Sequence, residues 1–147
     1  MKTRFDVSTL AAPLYQALYR ASDAAASSLG AGFKHLIDLC VSQLNNCHFC
    51  QNLHLEWGLR DGVPQDRLDA VTHWRDSHLF SDAEKAAFAW AELLTRQDED
   101  GADRYLAQLR SHWSESQIAE LTMIIAVINA WNRVGISAYD ARPAAHA

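Results

Sequence analysis

An all-α fold is the class this 147-residue sequence predicts, and three observations carry it. Apolar residues recur at helical spacing almost throughout the chain. No segment shows the apolar–polar alternation of a half-buried strand. Two capping boxes, Ser81-Asp82-Ala83-Glu84 and Ser114-Glu115-Ser116-Gln117, mark helix starts: a serine caps the backbone and a side chain three residues on reaches back. The length suits one domain with a full core, and no repeat, low-complexity tract or Pro-rich linker divides it. We expect a single-domain bundle of about six to seven helices over residues 1–147.

Each element has its own reason. The first helix is expected over Ser8 to Leu29, with Leu10, Leu14, Leu18 and Tyr19 near one face; Pro13 suits a first turn, so the helix could begin there. Gly30 and Gly32 end it. The second runs from Phe33 to Leu44 and stops at Asn45-Asn46, because Asn tolerates left-handed geometry. The third begins near Cys47 and ends between Gly58 and Gly62. Pro64 opens a fourth, to Trp74. The fifth follows the first capping box to Arg96, and Asp98 to Gly101 is a polar loop. The sixth covers Asp103 to Ser111. The second box opens the last helix, to Ala138, and Arg142 to Ala147 is a frayed tail. Ile118, Leu121, Ile125, Ile128 and Trp131 give the last helix one apolar face, and Met123, Ile124, Ala126, Val127 and Ala130 fill most of the rest. Such a helix is buried on several sides, part of that burial coming from another subunit.

Charge narrows the functions. The formal charge is −5, from 13 basic and 18 acidic residues, and no two Lys or Arg are adjacent. A nucleic-acid partner or an anionic membrane surface would ask for a basic patch. Met1-Lys2-Thr3-Arg4-Phe5-Asp6 leads into no apolar signal segment. The densest apolar stretch, Met123 to Ala130, is too short to span a bilayer. The expected compartment is the cytosol, where a close cysteine pair is catalytic or metal-binding more often than structural. Cys40, in an apolar helical run, reads as a small core residue.

The chemistry concentrates in "NNCHFCQNLHLEWG", residues 45–58. Cys47 falls at the expected N-cap of the third helix and Cys50 in its first turn. Unpaired N–H groups and the positive end of the helix dipole stabilise a thiolate there. A spacing of three brings the two sulfurs within reach of a reversible disulfide. His54, four residues after Cys50, sits one turn along on the same face and can accept or deliver a proton. A thiol pair with an acid/base group suits attack on a peroxide: one thiolate becomes a sulfenic acid and the other thiol resolves it. Zinc is the chemical rival, since Cys47, Cys50 and His54 supply three ligands and His35 or His48 could complete the set. Inert packing is the third reading. His48 points about 100° away from Cys47 and is expected at the surface. Trp57, Trp74, Trp90, Trp113 and Trp131 read as core or interface. His73, His78, His112 and His146 show no ligand spacing and read as surface groups.

"HLIDLCVSQLNNCHFCQNLH", His35 to His54, resembles the core of the alkylhydroperoxidase D-like group within the carboxymuconolactone decarboxylase superfamily. The likeness continues through "HLFSDAEKAAFAWAELLTR" and "HWSESQIAELTMIIAVINAWNRVG", covering about residues 15 to 137. It implies an all-helical homo-oligomer that reduces hydroperoxides with no metal or organic cofactor, and is regenerated by a dithiol reductant protein such as a lipoyl-bearing one. By the same resemblance Cys50 is the peroxide-attacking thiol, Cys47 the more exposed partner that exchanges with the reductant, and His54 part of a proton relay. Helix electrostatics alone favour Cys47 as the more acidic thiol, so the order of attack stays open. One position departs from the pattern: the relay glutamate, twelve residues before the first cysteine, is His35 here. The imidazole keeps a titratable group but loses a negative charge, which Asp38 or Glu56 could restore. Asn132-Arg133 resembles a recurrent pair of the family and is expected to anchor helix packing or the oligomer. The rival readings are a redox-sensing or scaffold oligomer without turnover, and a lactone decarboxylase.

Overall fold

A computed structural model of the chain describes residues 1–25 and 29–143. Its order is β1 (Lys2–Thr3), α1 (Val7–Leu10), α2 (Ala12–Ala24), α3 (Ala31–Leu44), α4 (His48–Arg60), α5 (Gln65–Ala70) with a following 3-10 turn (Val71–His73), α6 (Asp82–Arg96), α7 (Ala102–Arg110), α8 (Glu115–Ala138) and β2 (Tyr139–Asp140). The fold is all-α, as expected.

Both capping boxes form with both of their hydrogen bonds, Ser81 with Glu84 and Ser114 with Gln117. Asn46 ends the α3–α4 turn at φ 54°, the left-handed geometry its side chain tolerates. The expected first helix is instead two: Ala11, at φ −126° and ψ 39°, breaks it, which puts Pro13 in the first turn of α2, where its missing N–H leaves no intrahelical hydrogen bond unmade. That split raises the helix number among the described residues to eight. The end expected at Leu29 follows residues 26–28, which lie outside the described residues, as do residues 144–147 of the expected tail. Gly30 sits at φ 82° and precedes α3, while Gly32 falls inside that helix rather than ending the one before. The expected fourth helix tightens into its 3-10 turn from Val71.

The sequence shows no strand pattern, yet β1 and β2 pair antiparallel, Lys2 with Asp140 and Thr3 with Tyr139. Two residues are too few for alternation to register. Arg4 secures the pair: its guanidinium donates to the Ile136 carbonyl and meets the Asp140 carboxylate.

Helix α3 is the centre of the bundle, packed against α4, α6 and α8. Its residues His35 to Ser42 are buried without interruption. Towards α6 lies the aromatic core: Phe88, fully buried, meets Phe33, Trp74 and Phe80. Cys40 is buried here and its thiol is pushed up to about 12 by desolvation, an inert core group as expected. Helix α8, by length and composition alone, could cross a membrane, with mean hydropathy 1.3 over its most apolar window. The apolar stretch that the sequence marks, Met123 to Ala130, is only part of a helix that runs from Glu115 to Ala138. In the fold it is a core helix, burying Ile118, Leu121, Ile124, Ile125 and Ile128.

Candidate active site

The first turn of α4 holds the two cysteines. Cys47 is the N-cap and its sulfur accepts from the Cys50 backbone N–H at 3.3 Å. The two sulfurs are joined as a disulfide, with Cα atoms 5.3 Å apart. Helix α8 seats them through Gly135, where an added Cβ would stand 2.8 Å from each sulfur. Only a residue without a side chain lets the two helices close here. Both cysteines are buried, and Cys47, expected to be the more exposed, is only 1% accessible. Burial by α8 reverses that expectation.

Cys50, and not Cys47, lines a cavity of about 580 Å³ between α2, α3, α4 and α8. Tyr15, Phe49, Leu53, Trp57, Ile128 and Trp131 make much of its apolar wall, while Lys34, His35, Asp38, His54 and Asp61 form a polar end. Two tryptophans read as core or interface are therefore cavity walls. Trp131 is held by its indole N–H donating to Ser22 Oγ at 2.6 Å and by an edge contact with Tyr15. The Trp57 ring lies 5.6 Å from His54 and 6.1 Å from His35. Trp74, Trp90 and Trp113 pack in the core.

The polar end is a chain of contacts. His35 Nε2 lies 3.0 Å from Asp61 Oδ2, and His35 Nδ1 lies 3.2 Å from His54 Nδ1. A carboxylate only accepts, so His35 carries its proton on Nε2. Desolvation lowers the His35 pKa and keeps the ring neutral, which leaves Nδ1 as an acceptor. His54 must then donate from Nδ1, which leaves Nε2 as the ring nitrogen that carries the lone pair. Burial pushes the His54 pKa down to about 4, against the raising field of Asp38, whose Oδ2 is 3.6 Å away. Asp61 is held below the usual carboxylate range chiefly by the hydrogen bond from His35. Asp38 is buried, pairs with the Lys34 ammonium through Oδ2, and its Oδ1 has no hydrogen-bond partner among the described residues.

The structure thus joins His35 to His54 and brings Asp38 beside them; Glu56 is exposed and no part of the cluster. Asp61, which the sequence does not single out, is the C-cap of α4, seven residues or about two turns after His54. His48 is half-buried rather than at the open surface, and His73, His78 and His112 are exposed. His146 lies outside the described residues. Below the site, Asn132 is fully buried and donates to Ser42 Oγ at 3.0 Å, while Asn45 donates to Asn132 Oδ1 at 2.8 Å. Ser42 Oγ in turn donates to the Asp38 carbonyl. Asn132 therefore ties α8 to α3, the anchoring role expected of it; Arg133 is exposed and caps the Asn129 carbonyl.

Residues 12–93 match the model of the carboxymuconolactone decarboxylase family. The chain is 32% identical over 112 residues to YdfG, an uncharacterised protein of Bacillus subtilis (strain 168), covering 76% of each. It is 31% identical to YnjA of Escherichia coli (strain K12), also uncharacterised, over 70% of this chain and 57% of that one. A crystal structure from Agrobacterium tumefaciens, of a protein of unknown function named as a candidate antioxidant-defence protein AhpD, superposes with a TM-score of 0.87 at 30% identity, covering 92% of this chain and 94% of that one. The debrominase Bmp8, solved with 2,3,4-tribromopyrrole, shares the fold at TM-score 0.72 and 21% identity, over 87% of this chain and 69% of its own. With more than half of its length matched by the family pattern and an AhpD-like fold around the Cys47–Cys50 pair, the chain belongs to the carboxymuconolactone decarboxylase family.

Proposed function

We propose that the protein is a cytosolic thiol peroxidase that reduces organic hydroperoxides. One observation carries this reading: Cys50 opens on an apolar cavity with a resolving sulfur bonded to it on one side and a tautomerically ordered histidine one turn away on the other. In the dithiol form, neutral His54 accepts the Cys50 proton, and the nearby Asp38 carboxylate stabilises the imidazolium so formed. The Cys50 thiolate attacks the distal peroxide oxygen. The O–O bond breaks, the alcohol leaves with the proton, and Cys50 becomes a sulfenic acid. The Cys47 thiolate then attacks the Cys50 sulfur, water leaves, and the disulfide closes. The sum is one hydroperoxide and two thiols giving one alcohol, one water and one disulfide.

His35 stands where the family carries glutamate. Asp61 compensates in this reading, because it fixes the His35 tautomer and thereby orients His54. A dithiol reductant, on a flexible arm such as a lipoyl group, reaches Cys50 through the same cavity. It releases Cys47 as the leaving thiolate at the start of α4, where the helix dipole stabilises it. A homo-oligomer is the further expectation, supported by Leu10 and Leu14 at 77% and Met123 at 59% exposure.

The test is hydroperoxide consumption with a dithiol reductant in wild type, Cys47→Ser and Cys50→Ser. Turnover should be abolished in both variants. Turnover surviving both substitutions would rule out the thiol mechanism.

A further inference from the structure

We propose that His35, Asp38 and His54 form a site for a divalent first-row transition ion, a borderline cation such as Zn2+ or Co2+. This is a different set from the Cys47, Cys50 and His54 ligands that the sequence spacing suggests, two of which the disulfide takes out of service. The three side chains are buried, and one donor atom from each lies within 4.8 Å of the others. Their closest pairs, 3.2 Å between the imidazole Nδ1 atoms and 3.6 Å from His54 Nδ1 to Asp38 Oδ2, bracket the donor–donor spacing of about 3.4 Å around a tetrahedral ion. Two imidazoles and a carboxylate are a familiar zinc donor set, and the cavity beside them leaves a fourth position for water or ligand.

Two further observations point the same way. His35 turns its other nitrogen to Asp61 at 3.0 Å, the outer carboxylate that orients a metal-bound histidine and raises its donor strength. Asp38 Oδ1 is buried without a hydrogen-bond partner among the described residues, an arrangement costly for a carboxylate and relieved by a cation. The Lys34 ammonium now supplies that charge through Asp38 Oδ2, so an incoming ion must displace it.

Binding would also change the chemistry. With both Nδ1 lone pairs on the ion, the His54 proton moves to Nε2, and no nitrogen of that ring is left to take a thiol proton. On the peroxidase reading above, ion binding and turnover therefore exclude one another, and the metal acts as a reversible inhibitor.

The experiment titrates chelator-treated, disulfide-form protein with Co2+, followed by absorption and calorimetry, with Zn2+ as competitor. We expect one ion per chain with a spectrum of nitrogen and oxygen donors. His54→Gln should abolish this binding, Asp61→Asn should weaken it by about 10–100-fold, and Lys34→Met, which removes the competing ammonium, should tighten it. Binding undiminished in His54→Gln would place the ion on surface histidines and overturn the proposal. So would binding that appears only on reduction with a thiolate charge-transfer band, or no binding at all. Should His54→Gln fail to fold, the comparison of wild type with Lys34→Met decides, because an unchanged affinity there excludes Asp38 as a ligand.

Discussion

The two sides of α3 are both packed against neighbouring helices and do opposite things. The side with Phe33 and Cys40 meets the aromatic cluster around Phe88 on α6, and no charged group of the site intrudes. The side with His35, Asp38 and Ser42 meets α4 and α8 through hydrogen bonds, and it leaves Asp38 Oδ1 without a hydrogen-bond partner among the described residues. Apolar burial is non-directional and sets stability. Polar burial demands defined partners and holds two imidazoles neutral by desolvation, with their proton positions dictated by geometry. One helix thus supplies the scaffold on one face and the chemistry on the other.

Substitutions can break that division. Outside the two cysteines, the largest effect should come from His54→Gln: loss of the proton acceptor should lower hydroperoxide turnover by about 100- to 10,000-fold, with the melting temperature little changed. Phe88→Ala should do the reverse, costing about 3–5 kcal/mol in denaturant unfolding while the rate per folded molecule holds. A drop in that rate equal to the His54 effect would erase the distinction between the two sides. Gly135→Ala tests the seam between them. Its Cβ must push two sulfurs aside, so stability of the disulfide form should fall by about 1–3 kcal/mol.

The last test is a pH dependence. His54 titrates near 4 in the folded protein, against 6.5 for an ordinary histidine. The unfolded chain therefore takes up this proton first as the pH falls. The contribution is whole above pH 6.5, shrinks between 6.5 and 4, and is gone below, about 3 kcal/mol in all. Urea unfolding of chelator-treated wild type and His54→Gln across this range should show the excess acid sensitivity in the wild type alone.

How much of this could be read from the sequence follows the range of the interaction involved. The capping boxes, the Asn46 turn and the Cys47-Cys50-His54 face of α4 are local, so spacing revealed them. Asp61 facing His35 is 26 residues away in sequence, and Gly135 lies far along the chain from the sulfurs it seats. No periodicity marks such pairs. The burial of Cys47 has the same long range, because its cover comes from α8. Trp57 and Trp131, expected in the core or an interface, line the cavity, Trp131 while also packing against the core; a tryptophan lining a cavity has the same composition and spacing as one filling a core. The β1–β2 pair is too short to carry a pattern.

The central claim is that Cys50 attacks and His54 prepares it. Mass spectrometry of reduced Cys47→Ser protein after one equivalent of an organic hydroperoxide tests it most directly. With no resolving thiol, the account predicts a sulfenic acid trapped on Cys50 and none on buried Cys40. An unmodified Cys50, with the hydroperoxide unconsumed, would contradict it.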